Sequence, residues 1–171
     1  MSATSSSTPE RPSRSLLALA GFGLAAAGAA WYGARYSRNQ TEVRYRTLDK
    51  PAFAPPDKVS PVVWTSLYAL MAWSGWRVWS AAPSRQRDTA LRLWLSQLAA
   101  SAKWSRLLFG ERRPVLALAD IIALEASVLS YISAARKVDR AAADAFIPYA
   151  AWVAFAAVLN AEIARLNPHA A

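Results

Sequence analysis

Residues 15–34 read SLLALAGFGLAAAGAAWYGA, a run of twenty uncharged residues between Arg14 and Arg35. About twenty apolar residues, each rising about 1.5 Å in a helix, span the roughly 30 Å hydrocarbon core of a bilayer. The run therefore predicts a transmembrane helix over about 15–36. A cleaved signal peptide is the alternative interpretation, because basic residues precede the run, although this run is longer than the usual apolar core of about 7–15 residues.

Four further apolar runs follow in the chain. They predict membrane spans at about 59–80, 89–109, 114–136 and 144–166. The basic residues Arg92 and Lys103 lie near the ends of the third span, where long side chains reach the membrane interface. No stretch alternates with the period of a barrel strand. We therefore predict an all-α integral membrane bundle of five transmembrane helices, forming one domain over 15–167 behind a polar, disordered tail over 1–14.

Composition agrees with a membrane protein and excludes several kinds of chemistry. The chain has 54% hydrophobic and 18% charged residues, against about 45–50% and 25% in ordinary soluble domains. Its net charge of +9 is spread between apolar runs, which suits anionic headgroups or anionic ligands better than nucleic acid. The chain has no Cys and a single His, His169, so thiolate nucleophiles, His triads and multi-His metal sites are excluded. We predict no metal site and no resident cofactor.

The connection over 37–58 is long and stiff. Prolines cluster at its far end, at Pro51, Pro55, Pro56 and Pro61, and they prevent a continuous helix into the second span. A long loop in so small a protein is usually functional. We expect this one to act as a lid.

The eight tryptophans fall into two groups. One group lies near span ends and predicts interfacial aromatic belts: Trp31, Trp73, Trp76 and Trp79. The other group lies on helix faces that also carry polar or small residues. These faces comprise Trp64 and Tyr68 in the second span, Trp94, Gln97, Ser101 and Trp104 in the third, and Trp152, Ala156 and Asn160 in the fifth.

These three faces are predicted to meet inside the bundle, because an unpaired amide or hydroxyl in hydrocarbon costs several kcal/mol. Converging aromatic faces with small residues between them form a slot for a flat apolar ligand. The alternative is helix packing through small residues and interhelical hydrogen bonds.

Two carboxylates, Asp120 and Glu125, fall inside the fourth span. Such groups are costly unless paired, so both are candidate site residues, with Arg92 and Lys103 as candidate partners. A structural ion pair near the interface and a proton relay are both open interpretations.

Several motifs in register resemble the TspO/MBR family, that is, tryptophan-rich sensory proteins, translocator proteins and peripheral benzodiazepine receptors. The motifs are YRTLDKPAFAPPDKVSPVVWTSLYALM (45–71), QLAASAKWSRLLFGERRP (97–114), ALAD (117–120) and PYAAWVAFAAVLN (148–160). The resemblance covers about 45–167, and the first span matches in position more than in sequence.

The resemblance implies five transmembrane helices, homodimers, and a cavity between helices that the loop after the first span closes. Members of this family bind porphyrins and, in some branches, cholesterol and benzodiazepine-type ligands. Trp64, Tyr68, Trp104 and Trp152 correspond to the family's pocket aromatics. The small residue beside the last of these corresponds to Ala156, and Asp120 and Asn160 also match family positions.

Three positions depart from the family pattern. Ser101 replaces the Asn of the QLxxNxxW motif, and the polar pair Asp57 and Lys58 replaces the aromatic residue after the Pro pair. At the end of the fifth span, Ala161 stands where the cholesterol-associated segment has Tyr. This last change argues against tight sterol binding and leaves porphyrin binding untouched.

The function that the resemblance implies, and that the aromatic faces suit, is a membrane receptor or carrier for tetrapyrroles such as protoporphyrin IX, with a sensory, regulatory or transport role. Indole stacking adds about 0.5–1.5 kcal/mol per ring pair, and the ligand carboxylates are expected to meet Arg44, Arg46 and Lys50.

Two alternatives remain open. One is oxidative porphyrin breakdown dependent on Trp64, which ranks lower because the sequence offers no general base, nucleophile or metal-ligand set. The other is a structural or regulatory membrane partner that binds no small molecule.

Overall fold

The computed structural model describes residues 12–40, 51–55, 59–111 and 114–167. Within these residues the chain is helical, without strands, which confirms the predicted fold class. Its helices are α1 (Pro12–Gln40), α2 (Val59–Ser80), α3 (Arg85–Ser105), α4 (Pro114–Arg136), the short α5 (Arg140–Asp144) and α6 (Ile147–Leu166). A π-helical turn, Arg106–Gly110, extends α3.

The helix starts follow local sequence chemistry. Pro12 begins α1 inside the stretch predicted as a disordered tail, since a proline suits the first turn of a helix. The Ser84 hydroxyl accepts a hydrogen bond from the Arg87 amide at 3.1 Å and caps α3, so this helix begins before the apolar run. In α6, Pro148 occupies the first turn.

Five of the helices are long, and together they form a multi-pass membrane bundle. Three segments meet the length and composition needed to cross a bilayer: Ser15–Tyr36, Val115–Arg136 and Arg140–Leu166. Helices α2 and α3 do not meet this criterion, because α2 is rich in Trp and Ser and α3 carries charges towards both ends.

The five long helices close into a ring. Helix α1 packs against α2 and α3, α3 packs against α4, and α4 packs against α6. Aromatic contacts from Trp64 join α2 to α6 and complete the circle. The order around the ring is therefore α1, α2, α6, α4, α3.

Polar contacts hold one end of this ring together. The Ser74 hydroxyl of α2 donates to the Ala142 carbonyl of α5 at 2.7 Å and bonds the Tyr131 hydroxyl of α4 at 2.7 Å. Arg77 forms an ion pair with Asp139 at 2.7 Å, and Asp139 caps α5 through the Ala142 amide. These bonds fix α2 to the turn between α4 and α5.

Trp94 fills the junction of α1, α2 and α3. It is 1% exposed, its indole N–H donates to the Met71 carbonyl at 2.9 Å, and its ring lies edge-on to Phe22 at 4.9 Å. A Cβ at Gly75 would lie 2.7 Å from Phe22 and 2.8 Å from Trp94. Trp94 therefore packs α1, α2 and α3 together, which is the helix-packing alternative given above for its stripe.

Candidate ligand-binding site

Trp64 lies at the centre of an aromatic cluster between α2 and α6. Its ring stacks on Tyr68 one turn later, with centroids 5.7 Å apart and planes at 30°. From α6, Tyr149 and Trp152 approach the same indole edge-on, with centroids at 6.3 and 6.4 Å. Residues at i, i+3 and i, i+4 share a helix face, so each helix contributes two rings to the cluster.

The Pro-rich end of the long loop reaches this cluster. Phe53 packs edge-on against Phe155 at 6.3 Å, and Phe155 packs against Trp152 at 5.6 Å. A hydrogen bond of 3.0 Å from the Ala54 amide to the Pro51 carbonyl tightens the segment into a turn. The described part of the loop therefore lies over α6 beside the aromatic rings.

The three basic residues expected to meet ligand carboxylates belong to a part of the loop outside the described residues: Arg44, Arg46 and Lys50.

A polar patch from α3 borders the aromatic cluster. Ser101 is 1% exposed, and its hydroxyl faces the hydroxyls of Tyr68 and Tyr149 without reaching hydrogen-bond geometry. One turn earlier, the side-chain N–H of Gln97 donates to the Trp94 carbonyl at 2.9 Å. Helix α4, which packs against α3, carries the half-buried Glu125 carboxyl. Helices α2, α3 and α6 thus bring hydroxyl groups together at Ser101.

Several buried atoms of this patch lack a hydrogen-bond partner within the described chain. They are Gln97 Oε1, Ser101 Oγ, Glu125 Oε2 and Tyr149 Oη. A polar atom left unbonded in hydrocarbon costs several kcal/mol. An amide oxygen only accepts hydrogen bonds and a hydroxyl can do either, so the patch suits a ligand that donates hydrogen bonds.

Asp120 forms an ion pair between α4 and α3. Its Oδ1 lies 2.6 Å from Lys103 Nζ, and the two side chains are 7% and 66% exposed. Of the two candidate partners, Asp120 therefore pairs with Lys103. The lysine side chain reaches from this ion pair to the outside of the bundle. Within the described residues Glu125 and Arg92 make no ion pair.

The remaining predicted site residues are also inside or along the bundle. Trp104 and Asn160 are buried, at 7% and 2% exposure, and Ala156 is half-buried one turn after Trp152. The structure thus brings together Trp64, Tyr68, Ser101 and Trp152, and it gives Asp120 a separate ionic partner.

Comparison with known proteins agrees with this architecture. Residues 21–166 match the TspO/MBR family. The chain belongs to the TspO/MBR family. It is a multi-pass integral membrane protein.

Individual TspO/MBR proteins match over most of their lengths. The chain is 31% identical to the tryptophan-rich protein TspO of Chlorobaculum tepidum, over 80% of this chain and 87% of that protein. It is 37% identical to the tryptophan-rich sensory protein of Cereibacter sphaeroides, with coverages of 72% and 76%. It is 31% identical to the human translocator protein, with coverages of 86% and 88%.

Sequence reasoning missed three aromatic residues of this TspO/MBR site: Phe53, Tyr149 and Phe155. Tyr149 precedes Trp152 by three residues, so the one-turn spacing that identified the other rings could have found it. Phe53 lies before the Pro55–Pro56 pair, and nothing in the local pattern indicates that it contacts α6.

Proposed function

We propose that this TspO/MBR protein is a membrane receptor or carrier that binds flat tetrapyrroles such as protoporphyrin IX in the aromatic slot between α2 and α6. Relatives named translocator protein and tryptophan-rich sensory protein support the broader role of a membrane receptor or sensor. The observation that carries the proposal is the position of Trp64, which contacts rings of both helices.

The ring geometry supports binding that is coupled to movement of an indole. A flat ligand between two parallel indoles needs their planes about 7 Å apart, since carbon atoms in contact are about 3.5 Å apart. The Trp64 and Trp152 rings are perpendicular, with centroids at 6.4 Å. One indole therefore has to turn as the ligand enters, and Ala156 is the small neighbour that leaves room for this movement.

The side chains of the slot support a ligand that is held without a bond to iron. Axial haem ligands are commonly His, Cys, Met or Tyr side chains, and the described part of the slot offers only the tyrosines Tyr68 and Tyr149. Metal-free porphyrin is accordingly expected to bind at least as well as haem.

The test follows tryptophan fluorescence of the full chain in detergent during titration with protoporphyrin IX. Trp152→Leu is expected to weaken saturable quenching by about tenfold, equivalent to about 1.4 kcal/mol. The matched control is Trp31→Leu, because Trp31 is 65% exposed on α1 and its loss removes the same number of indoles. Linear quenching that is the same in all three proteins would instead mean partitioning, as expected for a structural partner without a ligand.

A second candidate function is oxidative breakdown of the porphyrin, favoured by the contact of Trp64 with three other aromatic rings. Trp64→Phe keeps an aromatic face and removes the more readily oxidised indole. Loss of light-driven porphyrin turnover with retained binding would favour the enzyme. Unchanged turnover would remove Trp64 from the reaction.

We also propose that the protein is a homodimer joined through α1 and α3. An open apolar groove of about 630 Å³ lies there, lined by residues that include Gly21, Ala25 and Leu95. Small residues at spacing four let transmembrane helices approach closely. Ala25→Leu is expected to lower the fraction of dimer that chemical cross-linking captures. The control Ile122→Leu, at an exposed position of α4, is expected to leave that fraction unchanged.

A further inference from the structure

A second site lies at the opposite flank of the bundle, between the start of α3 and the end of α4. A cavity of about 250 Å³ is lined there by Arg85, Gln86, Thr89, Ala134 and Lys137. This volume is below the roughly 300–1,000 Å³ of pockets for drug-sized ligands, so the cavity suits a small group and not a whole porphyrin. Its lining offers two cations, an amide and a hydroxyl.

The two cations of this cavity have no ionic partner among the described residues, whereas the neighbouring arginines do. Within the described residues, neither the Arg85 nor the Lys137 side chain has an ion pair or hydrogen bond. Asp88, the nearest carboxylate along α3, is outside the cavity lining. Three neighbouring cations are paired: Arg77 with Asp139 at 2.7 Å, and Arg136 and Arg140 with Asp144 at 3.1 and 3.8 Å.

Polar side chains continue from the cavity along the outer face of α3. On α3, Arg92 and Ser96 follow Arg85 and Thr89 at spacings that keep them on one face. The Ser96 hydroxyl meets the Ser127 hydroxyl of α4 at 3.3 Å. Arg92 is exposed, lies about 10 Å along the helix from Arg85, and makes no ion pair with a described residue. The outer face of α3 therefore carries a second exposed cation, Arg92, about two turns along the helix from the cavity.

The cavity also lies near the level of the lipid headgroups. At the same end of the bundle the Arg77 guanidinium lies over the Trp73 ring, 5.3 Å from its centroid, and tryptophans concentrate at membrane interfaces. Anionic lipids interact with basic residues at this depth.

From these observations we propose that the cavity between Arg85 and Lys137 holds the phosphate of an anionic phospholipid, whose glycerol lies against the outer face of α3 near Arg92. Arg85 and Lys137 supply charge-assisted hydrogen bonds to the phosphate oxygens. Gln86 supplies a further amide donor to the headgroup, whereas the Thr89 hydroxyl donates to the Arg85 carbonyl at 2.9 Å. Arg92 contacts the deeper ester region of the lipid. The site is separate from the aromatic slot and does not depend on the tetrapyrrole proposal.

The test uses native mass spectrometry of the full chain in detergent, titrated with dioleoylphosphatidylglycerol or dioleoylphosphatidylcholine. The variant R85Q/K137Q is expected to weaken binding of the anionic lipid by about tenfold or more, because the phosphate loses two charge-assisted hydrogen bonds. The matched control R136Q/R140Q removes the same charge from the same end and is expected to change binding by less than about twofold. The swap R85K/K137R is expected to retain binding, and thermal unfolding checks that each variant is folded.

Two results would overturn the proposal. If R85Q/K137Q and R136Q/R140Q lost phosphatidylglycerol binding to the same extent, the lipid would be attracted to the basic surface in general and not to this cavity. Binding of inorganic phosphate or glycerol phosphate to lipid-free protein, as tight as the lipid and competitive with it, would identify a soluble phosphate as the ligand.

Discussion

The indoles of Trp64 and Trp152 stand perpendicular to each other, with an interplanar angle of 87° and centroids 6.4 Å apart. They come from α2 and α6. This edge-on contact joins the two helices, together with the contact between Trp64 and Tyr149. Because a stacked ligand needs a face of at least one ring, the same contact has to open for binding. The proposed binding slot therefore uses the same pair of side chains that helps to join the two helices.

Helix packing at Gly75 is expected to be intolerant of a methyl group. Gly75→Ala places a Cβ 2.7 Å from Phe22 and 2.8 Å from Trp94, and overpacking of this kind costs about 1–3 kcal/mol. Gly28→Ala is the control, because nothing lies within 4 Å of a Cβ there. Thermal unfolding in detergent should show a lower midpoint for the first variant and an unchanged or higher midpoint for the second. Equal midpoints would contradict the packing described at this junction.

The hydrogen bonds of Ser74 are expected to stabilise the end of the bundle at α5. Ser74→Ala leaves the Tyr131 hydroxyl and the Ala142 carbonyl without their shared partner, and a buried polar group left unsatisfied costs about 1–3 kcal/mol. The control Ser66→Ala removes an exposed hydroxyl that bonds only its own helix. Unfolding midpoints measured side by side should separate the two variants, and a Ser74→Ala protein as stable as the control would refute this role.

Iron should give no advantage in binding. Axial haem ligands are commonly His, Cys, Met or Tyr side chains, and the aromatic slot offers only Tyr68 and Tyr149, whose hydroxyls face Ser101. Protoporphyrin IX is therefore expected to bind at least as tightly as haem in parallel titrations. Haem binding tighter by about tenfold, about 1.4 kcal/mol, with an absorption spectrum of axial ligation, would show that stacking and hydrogen bonding are not the whole account.

The loop segment at Phe53 is expected to slow ligand release. Phe53→Ala removes the ring that packs on Phe155, and an aromatic pair of this kind contributes about 0.5–1.5 kcal/mol. Stopped-flow release of protoporphyrin IX should be faster by about two- to tenfold in this variant, the rate equivalent of that energy. Leu24→Ala is the control, since Leu24 is an exposed residue of α1. Release at the wild-type rate would mean that the loop does not cover the slot.

Much of the helical architecture was predictable, because uncharged runs of the right length leave few alternatives in a bilayer. The inward-facing positions of Trp64, Tyr68 and Trp152 were predictable for a related reason. Their one-turn spacings put rings on single faces, and the polar residues nearby require those faces to turn inward.

Trp94 shows where periodicity stops being informative. It lies on the same stripe of α3 as Gln97 and Ser101, yet it packs between α1 and α2 because Gly75 leaves space for an indole. That space depends on which helices are neighbours, and the period of a single helix does not contain this information. The choice of Lys103 as the partner of Asp120 is of the same kind, since it depends on the register between α3 and α4.

The central claim is that the ligand enters between Trp64 and Trp152. Fluorine NMR of the chain labelled with 5-fluorotryptophan tests it most directly, with each resonance assigned by a single Trp→Phe variant. On saturation with protoporphyrin IX, the account predicts large shifts for Trp64 and Trp152, from the porphyrin ring current and the turned indole, and an unchanged signal for the exposed Trp31. Unchanged signals for Trp64 and Trp152, or equal shifts for all eight tryptophans, would contradict it.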